Sequence, residues 1–221
     1  MFVDKHVLSK AISLVLEHKH ELDKLLFESV HFKALNIKIG DDSKENLKKW
    51  FILVTGPGWR ARPPLSLAER REMLKAFDKW YDKVVKDILP NYSGQDAVDK
   101  MIDELVKIKW VGYKVAGVYL RDIVYYFKVW PHLTDYLYLP IDRHVRDIMV
   151  KRLKAFSDAD VPEVGESYFT GRNKKFQQIL NTIHKPRVEF DYFWYIGVNF
   201  CSYHLCNYCW IKELCREKEP I

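Results

Sequence analysis

The sequence predicts an all-α protein. Apolar residues recur at three-and-four spacing along most of the chain, and no segment alternates apolar and polar residues as a half-buried strand would. Gly, Pro, Asp and Ser punctuate it at intervals suited to short helices. Over 4–27 the apolar positions Leu8, Ala11, Ile12, Val15, Leu22, Leu25 and Leu26 share one helix face. Gly40-Asp41-Asp42-Ser43 breaks that pattern, and a shorter helix follows through Leu47, Trp50, Phe51 and Val54. Gly56-Pro57-Gly58 and Pro63-Pro64 read as a loop. Ser66 with Glu69 has capping-box spacing, which starts a helix expected to reach about Leu89 and stop at Pro90. Ser93-Gly94 opens the next, toward Ile108, and another is expected over 113–127. Pro140-Ile141-Asp142 leads into a further helix with Asp142 at its N-cap. Later helices are expected over 174–183, 188–200 and 208–217.

A chain that is 48% hydrophobic and 14% aromatic can offset its conformational entropy by burial, which excludes a disordered protein. Its 221 residues suit one large domain or two small ones sharing an interface. No stretch approaches the ~20 apolar residues that a membrane helix needs. The longest candidate, 190–200, carries Asp191 and Asn199. Asp4, Lys5 and His6 followed by an amphipathic run give no secretory signal. The expectation is an intracellular protein of cytoplasm or nucleoid, neither secreted nor membrane-bound.

Thirty-six basic residues against 30 acidic leave a net charge of +6. The excess is uneven. Between Gly171 and Val188 stand Arg172, Lys174, Lys175, Lys185 and Arg187 with no acidic residue, and the five basic residues over 143–154 face Asp147 alone. Such runs ordinarily form solvated faces, but a basic balance also suits an acidic partner, of which nucleic acid is the commonest.

All four cysteines fall at one end: Cys201, Cys206, Cys209 and Cys215, spaced x4, x2 and x5. A disulfide framework scatters its cysteines to staple distant segments, so this clustering points to a metal. Four thiolates suffice for tetrahedral zinc or for a 4Fe–4S cluster. Structural zinc usually takes two separated Cys-x-x-Cys knuckles, whereas one pair flanked at short range suits a cube ringed by a single loop. The spacing therefore favours iron–sulfur, with zinc the alternative, and Phe200, Tyr208 and Trp210 are placed to shield it. His204 inside the loop reads as a hydrogen-bonded filler.

Between two expected helices lies Ile108-Lys109-Trp110-Val111-Gly112-Tyr113-Lys114-Val115-Ala116. Gly112 permits a tight turn whose N–H groups, with the positive end of the following helix, can take a phosphate. Lys114 falls in that helix's first turn, where the helix dipole and apolar neighbours favour a neutral, nucleophilic amine. From spacing alone it reads as a surface lysine at a helix start, and Asp142 as an ordinary cap.

Taken in order, the hairpin lysine, a helix, Pro140-Ile141-Asp142-Arg143-His144-Val145 and a four-cysteine loop resemble the helix–hairpin–helix DNA glycosylases. The endonuclease III branch is the nearest in pattern. Its hairpin, Leu-Pro-Gly-Val-Gly-x-Lys-Thr-Ala, is matched at Ile108, Val111, Gly112, Lys114 and Ala116. Its Val-Asp-Thr-His becomes Ile141-Asp142-Arg143-His144, and its cysteine spacing differs only in the first gap. The likeness covers 107–151 and 201–215.

The resemblance implies two helical lobes: a helical barrel carrying the hairpin over 27–137, and a cluster lobe built from 1–26 and 138–221 with the loop at 201–215. It implies a monomer that takes duplex DNA with a damaged or mismatched base across a cleft. Val111, Gly112, Tyr113, Arg143 and Lys212 would contact DNA, Lys114 would attack the anomeric carbon, and Asp142 would assist it. The four cysteines would hold a structural 4Fe–4S cluster. The rival expectation is a non-catalytic iron–sulfur helix–hairpin–helix module that only binds DNA.

Trp110 stands at the hairpin's first glycine and Lys109 at its proline, so a changed turn is expected. The stretch 127–139 reads as an insertion whose Trp130, Tyr136 and Tyr138 either shape a base pocket or pack outside it.

Overall fold

A computed structural model describes residues 3–27, 36–56 and 65–216 of the chain. Among these residues the only β pairing is an isolated bridge between Val3 and Phe156, and helices make up most of the fold. In chain order they are α1 (Lys5–Leu16), α2 (Lys19–Phe27), α3 (Lys44–Thr55), α4 (Leu67–Lys83), α5 (Gly94–Leu105), α6 (Tyr113–Arg121), α7 (Arg143–Asp147), α8 (Gly171–Ile183) and α9 (Tyr192–Asn199). Three of them run on through π-helical turns: α4 through Val84–Ile88, α6 through Asp122–Tyr126 and α7 through Ile148–Arg152. No helix among the described residues is long and apolar enough to cross a membrane.

Packing divides the chain into two units, Met1–Ser29 with Leu139–Ile221, and Val30–Tyr138. The second is centred on aromatic rings. Phe51 of α3 lies 4.6 Å from Phe77 of α4, and Tyr119 of α6 meets Phe51, Phe77 and Trp80 edge-on at 5.4, 6.0 and 5.7 Å. Edge-to-face pairs set ring against ring favourably, and each polar tip also finds a partner. Tyr119 donates to Leu47 O at 3.1 Å, and Trp80 Nε1 to Met101 O at 3.0 Å. Where α6 passes into its π turn, buried Asp122 accepts from Trp50 Nε1 at 2.9 Å and from Arg121 Nε at 2.8 Å. Ala97, Val98, Met101, Ile102 and Leu105 give α5 a buried face that leads directly to the hairpin.

In the other unit α1 buries Leu8, Ala11, Ile12 and Val15. Leu22 of α2 is buried too, while the side chains of Leu25 and Leu26 lie outside the described residues. Gln177 of α8, fully buried, clamps the peptide of Leu139: Leu139 N donates to its Oε1 and its Nε2 to Leu139 O, both at 3.0 Å. This fixes the segment that leads into α7. Lys19 of α2 donates to the buried Glu189 at 2.6 Å, and His184 lies against the other Glu189 oxygen.

Local signals hold well. Ser66 and Glu69 form the full capping box, and Asp142 caps α7 through His144 N at 2.8 Å. Several boundaries differ from expectation. The helix expected over 4–27 breaks at Glu17 and His18, where the His18 ring turns flat onto Trp210, 4.2 Å between centroids. The helix stops one residue beyond Pro90, in a last turn, Leu89–Asn91, that follows the π turn. Residues 208–216 form short turns instead of a helix, because Cys209 is extended and buried, and residue 217 lies outside the described residues. So does most of the loop expected around Pro57, Gly58, Pro63 and Pro64.

Two tyrosines of the stretch 127–139 pack within the unit Val30–Tyr138. Tyr138 donates to Asp99 of α5 at 2.8 Å, and a Cβ added at Gly94 would meet the Tyr136 ring at 3.2 Å. Both tyrosines therefore pack against α5.

Candidate functional site

The hairpin is a four-residue turn closed by Val111 N donating to Ile108 O at 2.9 Å. Ile108 and Val111 are both buried, so the turn is pinned to the core at each end. Trp110 in the third place has φ +79. A type II turn demands that left-handed backbone there, and glycine usually supplies it. Trp110 thus holds a backbone that glycine ordinarily supplies. The Lys109 ammonium lies 4.9 Å from the centre of its ring, and its buried indole N–H has no hydrogen-bond partner.

Gly112 caps α6 with extended backbone, φ −96 and ψ 174, and Ala116 N donates to its carbonyl at 2.9 Å. A Cβ there would meet nothing within 4 Å. Neither conformation nor packing requires glycine, which leaves the bare backbone itself as the feature. Tyr113 and Lys114, both half-buried, form the first turn of α6. Val111 contributes from beneath, its N–H spent on closing the turn.

Asp142 and Lys114 belong to different units. Asp142 is half-buried at the N-cap of α7, with Ile141 buried before it. Arg143 is exposed, its Nε 3.2 Å from His144 Nε2. Much of the basic charge read from the sequence is occupied. Arg146 holds Asp158 and Glu163, Lys151 pairs with Asp147, Arg172 with Glu166, and Arg187 is buried. Lys174, Lys175 and Lys185 are exposed.

The cysteine loop leaves α9 through two 3₁₀ turns, Cys201–Tyr203 and Cys206–Tyr208. Burial pushes the Cys209 thiol up to about 11, opposed by the Ile211 N–H and reinforced by Cys201, Cys215 and Cys206. The other three sulfurs therefore lie near enough to Cys209 to disfavour its thiolate. A cation among them would offset that repulsion, so the donor set fits iron–sulfur or zinc in kind. Among the described residues, however, no three His, Cys, Asp or Glu side chains close tightly enough to hold an ion. Trp210 is stacked between His18 and Tyr195, at 4.2 and 6.0 Å, with Phe200 edge-on at 5.3 Å. Tyr208 does not join this shield, being exposed, as are His204 and Lys212.

Two positions that matter here were not singled out by spacing. Gly197 on α9 faces His144, and Gln177 clamps the peptide leading to Asp142. A glycine inside an apolar helix hints at close approach, but nothing local names its neighbour. Compared with family models, curated proteins and solved structures, the chain matches none.

Proposed function

We propose that the chain is a base-excision DNA glycosylase with AP lyase activity, an intracellular monomer acting on duplex DNA through Lys114. One observation carries the reading: the half-buried lysine sits two residues after an exposed glycine cap, behind a turn that has a glycine-like backbone at Trp110. The bare Gly112 backbone and the N-terminus of α6 would receive a backbone phosphate.

Lys114 Nζ attacks C1′ of a nucleotide turned out of the stack, and the bond from C1′ to the base breaks. The base leaves with the bonding pair and takes up a proton. Loss of a proton from Nζ and opening of the sugar ring at O4′ give the Schiff base. Removal of a C2′ proton then expels the 3′ phosphate, and water frees the lysine by hydrolysing the imine. Asp142, oriented by its cap on α7, accepts the amine proton or offsets positive charge growing on the sugar. Cys201, Cys206, Cys209 and Cys215 would hold a 4Fe–4S cluster whose contribution is to order their loop, with Lys212 beside the DNA backbone.

The test is borohydride trapping on duplexes that each carry one lesion, read also for strand cleavage. The native chain should trap and cleave, and Lys114→Gln should lose the covalent adduct while keeping duplex affinity. An adduct in the variant moves the nucleophile elsewhere. Affinity without any abasic product from the native chain overturns catalysis in favour of a binding module.

A further inference from the structure

α7 with its π turn, 143–152, is held at both ends by the segment that carries the cysteines. At the front, Gly197 of α9 is pressed against His144. A Cβ built at Gly197 would stand 2.6 Å from His144 Cβ and 3.1 Å from both Cγ and Nδ1. The nearest of these atoms is attached to backbone and cannot swing away. The loop then returns to the same place, since Ser202 Oγ donates to Gly197 O at 2.9 Å. At the far end Arg216 N, immediately after Cys215, donates to Arg152 O at 2.6 Å. His144, in the first turn of α7, is the residue whose N–H fixes Asp142 Oδ1 at 2.8 Å.

We propose that the cysteine loop positions Asp142, with Gly197 the positioning residue that transmits the loop's geometry through His144. The proposal rests on Asp142 taking part in base excision, but the mechanical coupling can be tested without that. Carbon atoms in contact prefer about 3.5–4.0 Å. A methyl group at Gly197 therefore forces α9 and the first turn of α7 apart by about 1 Å. A displacement of that size at a reacting centre can cost about a hundredfold in rate.

The full-length protein is compared with Gly197→Ala, Ser202→Ala, Cys209→Ser and the pair Gly197→Ala/His144→Gly, reading amide hydrogen exchange over 143–152 and turnover on a lesion duplex. Gly197→Ala should speed exchange over 143–152 about tenfold or more and leave the amides of α5 unchanged. Its kcat should fall by about a hundredfold with KM nearly constant. Ser202→Ala and Cys209→Ser, which add no bulk, should shift exchange over 143–152 in the same direction. Removing the His144 side chain in the paired variant should restore much of the exchange protection.

Unchanged exchange over 143–152 in both Gly197→Ala and Cys209→Ser overturns the coupling. So does a paired variant no better protected than Gly197→Ala, or a kcat loss matched by a general fall in stability. If exchange and rescue behave as expected but the native chain turns over no lesion, the coupling stands and the reading of Asp142 fails.

Discussion

At the hairpin, Ile108 and Val111 are 4% and 5% exposed, and α6 behind them is buried from Ala116 to Arg121, whereas in the cysteine loop Tyr203, Leu205 and Tyr208 are 69%, 42% and 74% exposed. Over 201–216 only Cys209 and Ile211 are buried. The hairpin takes its shape from apolar burial and would hold it with nothing bound. The loop has short turns and exposed rings, and little apolar burial to hold it. Two parts assigned to one activity are thus stabilised by different physics, and each should fail under different treatment.

The largest effect expected is on the loop. Purified without oxygen, the protein should be brown with about four irons per chain. Cys209→Ser should lose the colour and open the loop to proteolysis, while the amides of α5 and α6 keep their protection. Opening of α5 and α6 together with the loop would break the contrast, and stoichiometric zinc in place of iron would change the metal but preserve it.

A smaller effect sharpens the hairpin side. Trp110→Gly and Trp110→Ala both remove the indole, but only alanine keeps a Cβ at φ +79. Alanine should be less stable than glycine by about 1 kcal/mol in urea unfolding. Equal midpoints would mean that the turn relaxes and carries no backbone strain.

A further effect is a pH dependence confined to the metal-free chain. The Cys209 thiol, raised from 9.0 to about 11 chiefly by burial, binds its proton more tightly folded than unfolded. Its contribution is complete below pH 9.0 and is lost as the pH climbs through about 11. Thermal unfolding across that window should show the fall, and Cys209→Ala should flatten it. Identical profiles for both would remove the thiol as its source.

What was legible in the sequence was local. Ser66 with Glu69 and Asp142 with His144 are bonds between residues two or three apart, and they form as the spacing implies. The apolar faces of α1 and α5 are buried on the expected positions for the same reason. Illegible were features set by partners far along the chain. Tyr138 reaches Asp99, Gln177 holds Leu139, and Gly197 makes room for His144. The π turns were also hidden, since no residue pattern here distinguishes five extra residues of π-helix from α-helix. Basic charge was countable, but not which of it is already paired, as with Arg146 and Arg172.

Asp4 and Arg216 meet at 3.0 Å, and both are tied to one short stretch, Asp4 N to Ala155 O at 2.9 Å and Arg216 N to Arg152 O at 2.6 Å. The unit they close is made of two segments that are far apart in sequence, with all of Val30–Tyr138 synthesised between them. That intervening stretch is contiguous and can fold as it emerges. Helices α1 and α2 instead wait until α8 and the residues around Glu189 and Tyr192, which they meet, have been translated. During that wait the nascent chain carries its greatest exposure to chaperones and to aggregation.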